Sequence, residues 1–380
     1  DLHSLRRRQR QMCIRDSNFP PTPDQLNFVD HMSKFIGLGV SQLYLLCALI
    51  TCYEVISRYV FDSPTQWAFE TVMVLCASAW MLSAGYITLH KRHIGITVIY
   101  IMVSKAKQWY LDLFAYVIGV IALWFFVDDT LVRAIESVMM TERAGSAWNS
   151  PQPLILKTML VTGATIYLVQ LLVNLYRHFD SQLAKNIVSG VAAFIIFRII
   201  LVFFEHAFEL KGVIAINEHL SSIAAYIEPT RYVDIRDIGI KWASILIVTA
   251  MVLLMMTGMP LGVVTLFVSI LSALFYFGFN GLYLVSTNAF GLLEAYPLIA
   301  VPLFVLMASI LEKAGVAEDL FDAMQIFAGK LRGGVAIQTI VVAVILAAMS
   351  GVMGGEIVML GLVALPQMMR LGYNRKLAIG

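Results

Sequence analysis

The sequence predicts an all-α protein that crosses a membrane several times. Three observations carry this. Hydrophobic residues make up 59% of the chain and charged residues only 14%, with a mean hydropathy of +0.79, well above the range of a water-soluble domain. Several apolar runs reach the ~20 residues that a helix needs to cross a ~30 Å hydrocarbon core. Those runs lack the alternation over ~10 residues that marks a membrane β-barrel. The net charge of +2 says nothing about nucleic acid, but no basic patch interleaved with aromatics appears, and no nucleic-acid partner is expected.

The predicted spans cover about 35–57, 67–89, 109–132, 151–176, 187–208, 238–257, 259–278 and 297–313, followed by a broken segment at 334–369. Residues 1–29 form a basic tail, non-native or disordered, because RRRQRQ and its neighbours show neither an apolar face nor the apolar core of a signal peptide. Loop charges orient the rest. The 89–108 loop, with Lys91, Arg92, His93, Lys105 and Lys107, is expected to be cytoplasmic. The 133–150 loop balances Arg133 and Arg143 against Glu136 and Glu142 and is expected to face outward. Arg177, His178 and Lys185 return the chain to the inside. The fifth span carries Arg198 near its middle, where an arginine is costly unless it snorkels or meets an interhelical partner. Polar residues 209–237 read as an external linker between two membrane modules. GMPLG (258–262) reads as a tight inner turn, 280–296 as a weakly apolar interfacial segment, and 316–334 as an interfacial amphipathic helix ending in glycine.

The broken segment is the chemical focus. As one helix, 334–369 would run ~54 Å, too long for a single span. Split at Gly351, Gly354 and Gly355, its arms are ~24 Å and ~17 Å, too short to cross comfortably. Lys330 and Arg332 precede it, and Arg370, Arg375 and Lys376 follow, so both ends are expected on one face. A re-entrant helical hairpin satisfies these constraints. Irregular backbone at membrane depth is tolerated against protein or a watery cavity, and exposed carbonyls at a broken helix bind cations such as Na⁺. The candidate binding tip is therefore Ser350, Gly351, Gly354, Gly355 and Glu356. Ser350 offers a hydroxyl. Glu356 has three open roles: starting the second arm, pairing with a neighbour, or helping to hold a cation. A glycine-rich packing kink is the alternative reading of the glycines.

Elsewhere, Glu54 and Arg58 stand four apart with the acid first, the favourable order for an ion pair on one helix face. Glu70 opens the next span, either complementing the helix dipole or contacting another chain. Lys91, Arg92 and His93 read as a topology anchor. The four cysteines form no metal-type pair, and the histidines lie near span ends or in loops, which argues against a haem subunit. There is no HExxH, and no catalytic residues are expected.

These segments resemble the tripartite ATP-independent periplasmic (TRAP) transporters. The carriers in the C-terminal part are GMPLG (258–262), PLIAVPLFVLMASILEKAGVAEDLF (297–321), GKLRGGVA (329–336), the Ser-Gly tip and LPQMMRLGYNRKLAIG (365–380). In the N-terminal part they are EVISRYVF (54–61), Pro64, Trp67, Glu70 and LHKRHIGI (89–96). The resemblance implies a small-subunit domain of four helices (30–180), a connecting helix and linker (181–237), and the N-terminal part of a large, ion-transporter-type subunit (238–380). It further implies a multi-pass bacterial inner-membrane protein that is not an enzyme and needs no cofactor, only Na⁺ as coupling ion. It would import small organic acids, carboxylates above all, delivered by a periplasmic solute-binding protein, with elevator-type alternating access. The resemblance places a second hairpin, completing the inverted repeat, in a continuation beyond residue 380. A binding-protein-independent transporter or channel of the same hairpin class is the alternative.

Overall fold

The structure, a computed structural model, describes residues 26–96, 98–208, 239–315, 319–320, 323–324, 326, 334–350 and 368–369. Among the described residues the only strand-type pairing is an isolated bridge between Gly95 and Pro260; the rest is helix and connecting loop. Apolar runs become helices here because a helix satisfies its own backbone hydrogen bonds without water. The helices are α1 (Phe28–Tyr59), α2 (Ala68–Leu89), the single turn α3 (Val98–Met102), α4 (Lys105–Met139), α5 (Gln152–His178) and α6 (Gln182–Phe208). After them come α7 (Ile240–Met256), α8 (Leu261–Phe277), α9 (Leu282–Leu293), α10 (Pro297–Lys313) and α11 (Gly334–Ser350). Of these, α1, α2, α4, α5 and α6 are long and apolar enough to cross a membrane.

Each expected span falls on a helix, but those at 238–257, 259–278 and 297–313 are helices of only 17 residues, and the bounds differ informatively. Helix α1 starts seven residues before the expected position because Asp30 reaches back to accept a hydrogen bond from the Asn27 backbone N–H at 2.8 Å, the carboxylate half of a capping box. Helix α4 runs 35 residues, because Arg133 links to Asp129 and Glu136 at i−4 and i+3 and carries the helix past its apolar stretch. The 280–296 segment is a short 3₁₀ turn followed by α9, whose 12 residues span only ~18 Å and cannot cross alone. Residues 1–25, the 209–237 linker and most of the 316–334 helix lie outside the described residues.

The chain divides into two compact units. The first contains residues up to Leu43 and Met73–Ala295. Its centre is the antiparallel pair α4 and α5, with α6, α8 and α9 packed around it. Leu156, Leu168, Ile195 and Ile270 are buried in that core. Helix α5 approaches α2 closely at Gly163, where an added Cβ would stand 2.5 Å from the Met81 carbonyl oxygen. Small residues at such crossings are how membrane helices gain contact area. The outward side of α6 shows Phe194, Phe197, Ile200 and Phe203, the surface expected against lipid tails.

The second unit contains Tyr44–Val72 and the residues from Tyr296 onward. Here α10 packs against α11. Pro302 lies inside α10 and cannot donate the helical hydrogen bond to the Leu298 carbonyl. Tyr53 stacks on Trp67 with centroids 6.1 Å apart, and Phe69 meets Tyr296 at 5.1 Å.

Candidate functional site

The hairpin tip is described only on its first side. Helix α11 is described up to Ser350, the last described residue before the predicted break. Gly351, Gly354, Gly355 and Glu356 lie outside the described residues. The first arm, 17 residues long, rises ~25 Å. One of its faces carries Gln338 (2% exposed) and Val342 (0%), four residues apart and hence on the same side. A buried glutamine here was not singled out from the sequence. Its signal was available: an amide in an otherwise apolar arm.

The first charge pair forms as its spacing demands. Arg58 donates to Glu54 Oε1 from Nη2 at 2.7 Å and from Nε at 3.2 Å. The other carboxylate oxygen accepts from the Thr65 backbone N–H at 3.2 Å and from its hydroxyl. Glu54 therefore ties the end of α1 to the loop that leads into α2, a role that the i,i+4 rule does not reveal. Glu70 sits in the first turn of α2, 6% exposed, where a carboxylate complements the helix N-terminus.

Lys91, Arg92 and His93 fall on a folded loop. Lys91 adopts φ = 50°, and Arg92 N–H closes a turn onto the Ile87 carbonyl at 3.0 Å. His93 Nε2 pairs with Thr88 Oγ1 at 2.8 Å, and its ring stacks on Tyr167 at 5.0 Å. Lys91 and His93 line a cavity of ≈ 220 Å³ together with Asp112, Tyr100, Tyr116 and Asn174. Desolvation in this recess lowers the pKa of both Lys91 and His93; for Lys91 the nearby Asp112 partly offsets that effect. Arg92 remains exposed.

Three polar clusters went unread in the sequence, except that Arg198 of the second was expected to snorkel or to meet an interhelical partner. In the first, Asp30 (0% exposed) accepts from Arg177 Nη1 at 3.1 Å and from Arg177 Nη2. It also accepts from Gln170 Nε2 at 2.9 Å, while Ser33 donates to Gln170 Oε1 at 2.7 Å. In the second, Arg198 stands 3.4 Å from Asp128, the interhelical partner that an arginine in a span requires. In the third, Ser286 on α9 hydrogen-bonds to Asp129 on α4. Beside it, the Arg133 guanidinium lies 4.3 Å from the Tyr283 ring centroid. Lys157 bonds to Glu142 at 2.6 Å and faces the Phe290 ring at 5.0 Å. Burial works to raise the Glu142 pKa, but hydrogen bonds from Lys157 and Ser137 outweigh it and hold the carboxyl below its usual range. Glu294 goes the other way, raised by burial. The adjacent pair Asp128-Asp129 inside an apolar run was the legible signal for the second and third clusters. Asp30 and Arg177 are too far apart in sequence for any spacing rule.

Two parts of the chain match known families. Residues 47–181 match the family described as "Tripartite ATP-independent periplasmic transporters, DctQ component". Residues 248–380 match "Tripartite ATP-independent periplasmic transporter, DctM component". Among curated proteins, the chain is 27% identical over 138 residues to the C4-dicarboxylate TRAP transporter large permease protein DctM of Rhodobacter capsulatus, covering 36% of this chain and 31% of the relative. It is 33% identical over 87 residues to the DctM protein of Pseudomonas aeruginosa, covering 23% and 20%. To the ectoine TRAP transporter large permease protein TeaC of Halomonas elongata it is 30% identical over 132 residues, covering 34% and 30%. The chain thus spans less than a third of the length of these relatives.

Proposed function

Because the chain belongs to the tripartite ATP-independent periplasmic transporter family, with a DctQ-type domain and a DctM-type domain in one polypeptide, we propose that it forms membrane machinery for Na⁺-coupled uptake of small organic acids. In this reading it sits in the bacterial inner membrane, with the 89–96 loop on the cytoplasmic side. A soluble periplasmic binding protein delivers the substrate, and Na⁺ entering down its gradient drives import. The substrate class is carboxylate-bearing, in keeping with the C4-dicarboxylate and ectoine systems in which the relatives are named.

The observation that carries the reading is the succession of the two component domains along one chain, in the order small then large. In this reading the backbone breaks at the glycines beyond Ser350, the last described residue of α11, so that the break follows a helix C-terminus. There the carbonyl ends carry partial negative charge, which suits a cation. Movement of the hairpin-bearing part against a fixed scaffold would then expose the site to each face in turn.

The small-component domain separates this reading from a transporter that works without a binding protein. The test uses the full gene product in cells that either retain or lack the exported binding protein encoded with it. Uptake of labelled C4-dicarboxylate only when that protein is present supports the proposal. Equal uptake without it would favour the binding-protein-independent alternative.

A further inference from the structure

Two motifs that the sequence reading treated separately, LHKRHIGI (89–96) and GMPLG (258–262), meet in the first unit. The Leu261 backbone N–H donates to the Ile94 carbonyl at 2.8 Å, and Gly95 and Pro260 form an antiparallel bridge. The approach is so close that a Cβ on Gly95 would lie 3.0 Å from the Met259 carbonyl oxygen and 3.1 Å from that of Gly258. Gly258 itself adopts φ = +89°, and a Cβ there would lie 3.1 Å from Tyr100. By contrast, Gly262, four residues on, has nothing within 4 Å of such a Cβ.

The loop is also held by contacts other than those to the turn. His93 is held by Thr88, the Thr88 carbonyl accepts from Asn174 Nδ2 at 3.3 Å, and Gln108 Nε2 donates to the Tyr100 carbonyl at 2.8 Å. A preorganised loop loses little entropy on docking. Ile94 is 81% exposed while Met259 is 1% exposed. The loop therefore offers main chain, not side chains, and the turn buries its own methionine behind the contact.

We infer that the 89–96 loop is the recognition element by which the small-component domain grips the large-component domain, with the 258–262 turn as its receptor. The recognition is read by backbone: it requires the absence of a Cβ at Gly95 and the N–H of Leu261, and it is indifferent to the side chain at Ile94. It follows from the contact alone and does not depend on the transport activity.

The experiment uses the full chain with a protease site inserted within 209–237, cleaved after folding and purification in mild detergent. The readout is the denaturing-detergent fraction at which the two pieces separate on size exclusion. Leu261→Pro removes the donor at a first helical position, where proline is tolerated, and the preceding residue already has ψ = 129°, compatible with a following proline. Leu261→Pro and Gly95→Ala are each expected to raise the ratio of dissociated to associated protein about fivefold at the parent midpoint, as for loss of one net hydrogen bond. Gly262→Ala and Ile94→Ala should match the parent. Unchanged midpoints for both Leu261→Pro and Gly95→Ala, or an equal loss in Gly262→Ala, overturn the inference. Should Gly95→Ala fail to fold, Leu261→Pro still decides.

Discussion

Replacing Asp30 by asparagine removes one negative charge from the most enclosed ion pair among the described residues. Asp30 is fully buried and accepts hydrogen bonds from Arg177, Gln170 and the Asn27 backbone. The substituted amide would turn an N–H₂ toward one of these donors and leave the Arg177 guanidinium without its countercharge. Breaking a buried pair in this way costs about 3–5 kcal/mol when both partners are enclosed. The Arg177 side chain is 26% exposed and sits in the last turn of α5, where water and the helix terminus share its charge. The expected cost is therefore about 2–3 kcal/mol, a ~30- to 150-fold fall in the ratio of folded to unfolded protein. The assay is denaturant unfolding of the purified protein in micelles, followed by circular dichroism. The double variant Asp30→Leu with Arg177→Met should recover much of the loss, because two apolar groups leave no orphaned charge. A change below about 0.5 kcal/mol for Asp30→Asn, or strict additivity in the double variant, would refute the reasoning.

The other predictions concern pH, the embedded charge pair and the hairpin. The folded-state pKa of His93 lies below its ordinary value of 6.5, so the unfolded chain takes up the proton first. The His93 contribution to stability is present above pH 6.5 and lost as pH falls below it. His93→Gln should flatten that part of the stability-versus-pH curve, and an unchanged slope would count against it. Glu142, held below its ordinary 4.5, contributes stability above that pH and loses it under stronger acid. Glu142→Gln should shrink the acid-side loss by only a fraction of a kcal/mol, since its side chain is 38% exposed. Arg198→Leu leaves Asp128 without its near cation and should destabilise by about 1–3 kcal/mol, with partial rescue by Asp128→Asn. For the transport reading, Ser350→Ala, Gly355→Val and Glu356→Gln should each reduce Na⁺-dependent uptake. If all three left it intact, the hairpin assignment would fall.

The helical spans were legible because hydropathy integrates over ~20 residues and needs no knowledge of neighbours. Where the sequence reading fell short, charges had stopped the count. Asp30 marks the true start of α1 but reads as polar until Arg177 is known to face it. The α4 helix continues through Arg133 and Glu136, residues that look like loop by composition. Glu54 with Arg58 was legible from i,i+4 spacing, whereas the bond from Thr65 to Glu54 arises only when the chain turns back after α1. The cluster of Asp129 with Ser286 joins residues 157 apart and obeys no local rule, although two carboxylates in an apolar run already pointed to a partner. KRH (91–93) read as an anchor because basic residues beside a span are commonly that. The backbone pairing of the following residues, Ile94 and Gly95, with a distant glycine turn leaves no periodic trace. At the hairpin, α11 is described as far as Ser350, and the expected break at the glycines beyond it lies outside the described residues.

The most direct test of the transport reading is uptake by the full gene product in proteoliposomes with the purified binding protein outside. Labelled C4-dicarboxylate should accumulate above its external concentration when Na⁺ is high outside and low inside. Accumulation should stop when K⁺ replaces Na⁺ or when the binding protein is omitted. Accumulation that is indifferent to the Na⁺ gradient, or none with every component present, would contradict a Na⁺-coupled importer.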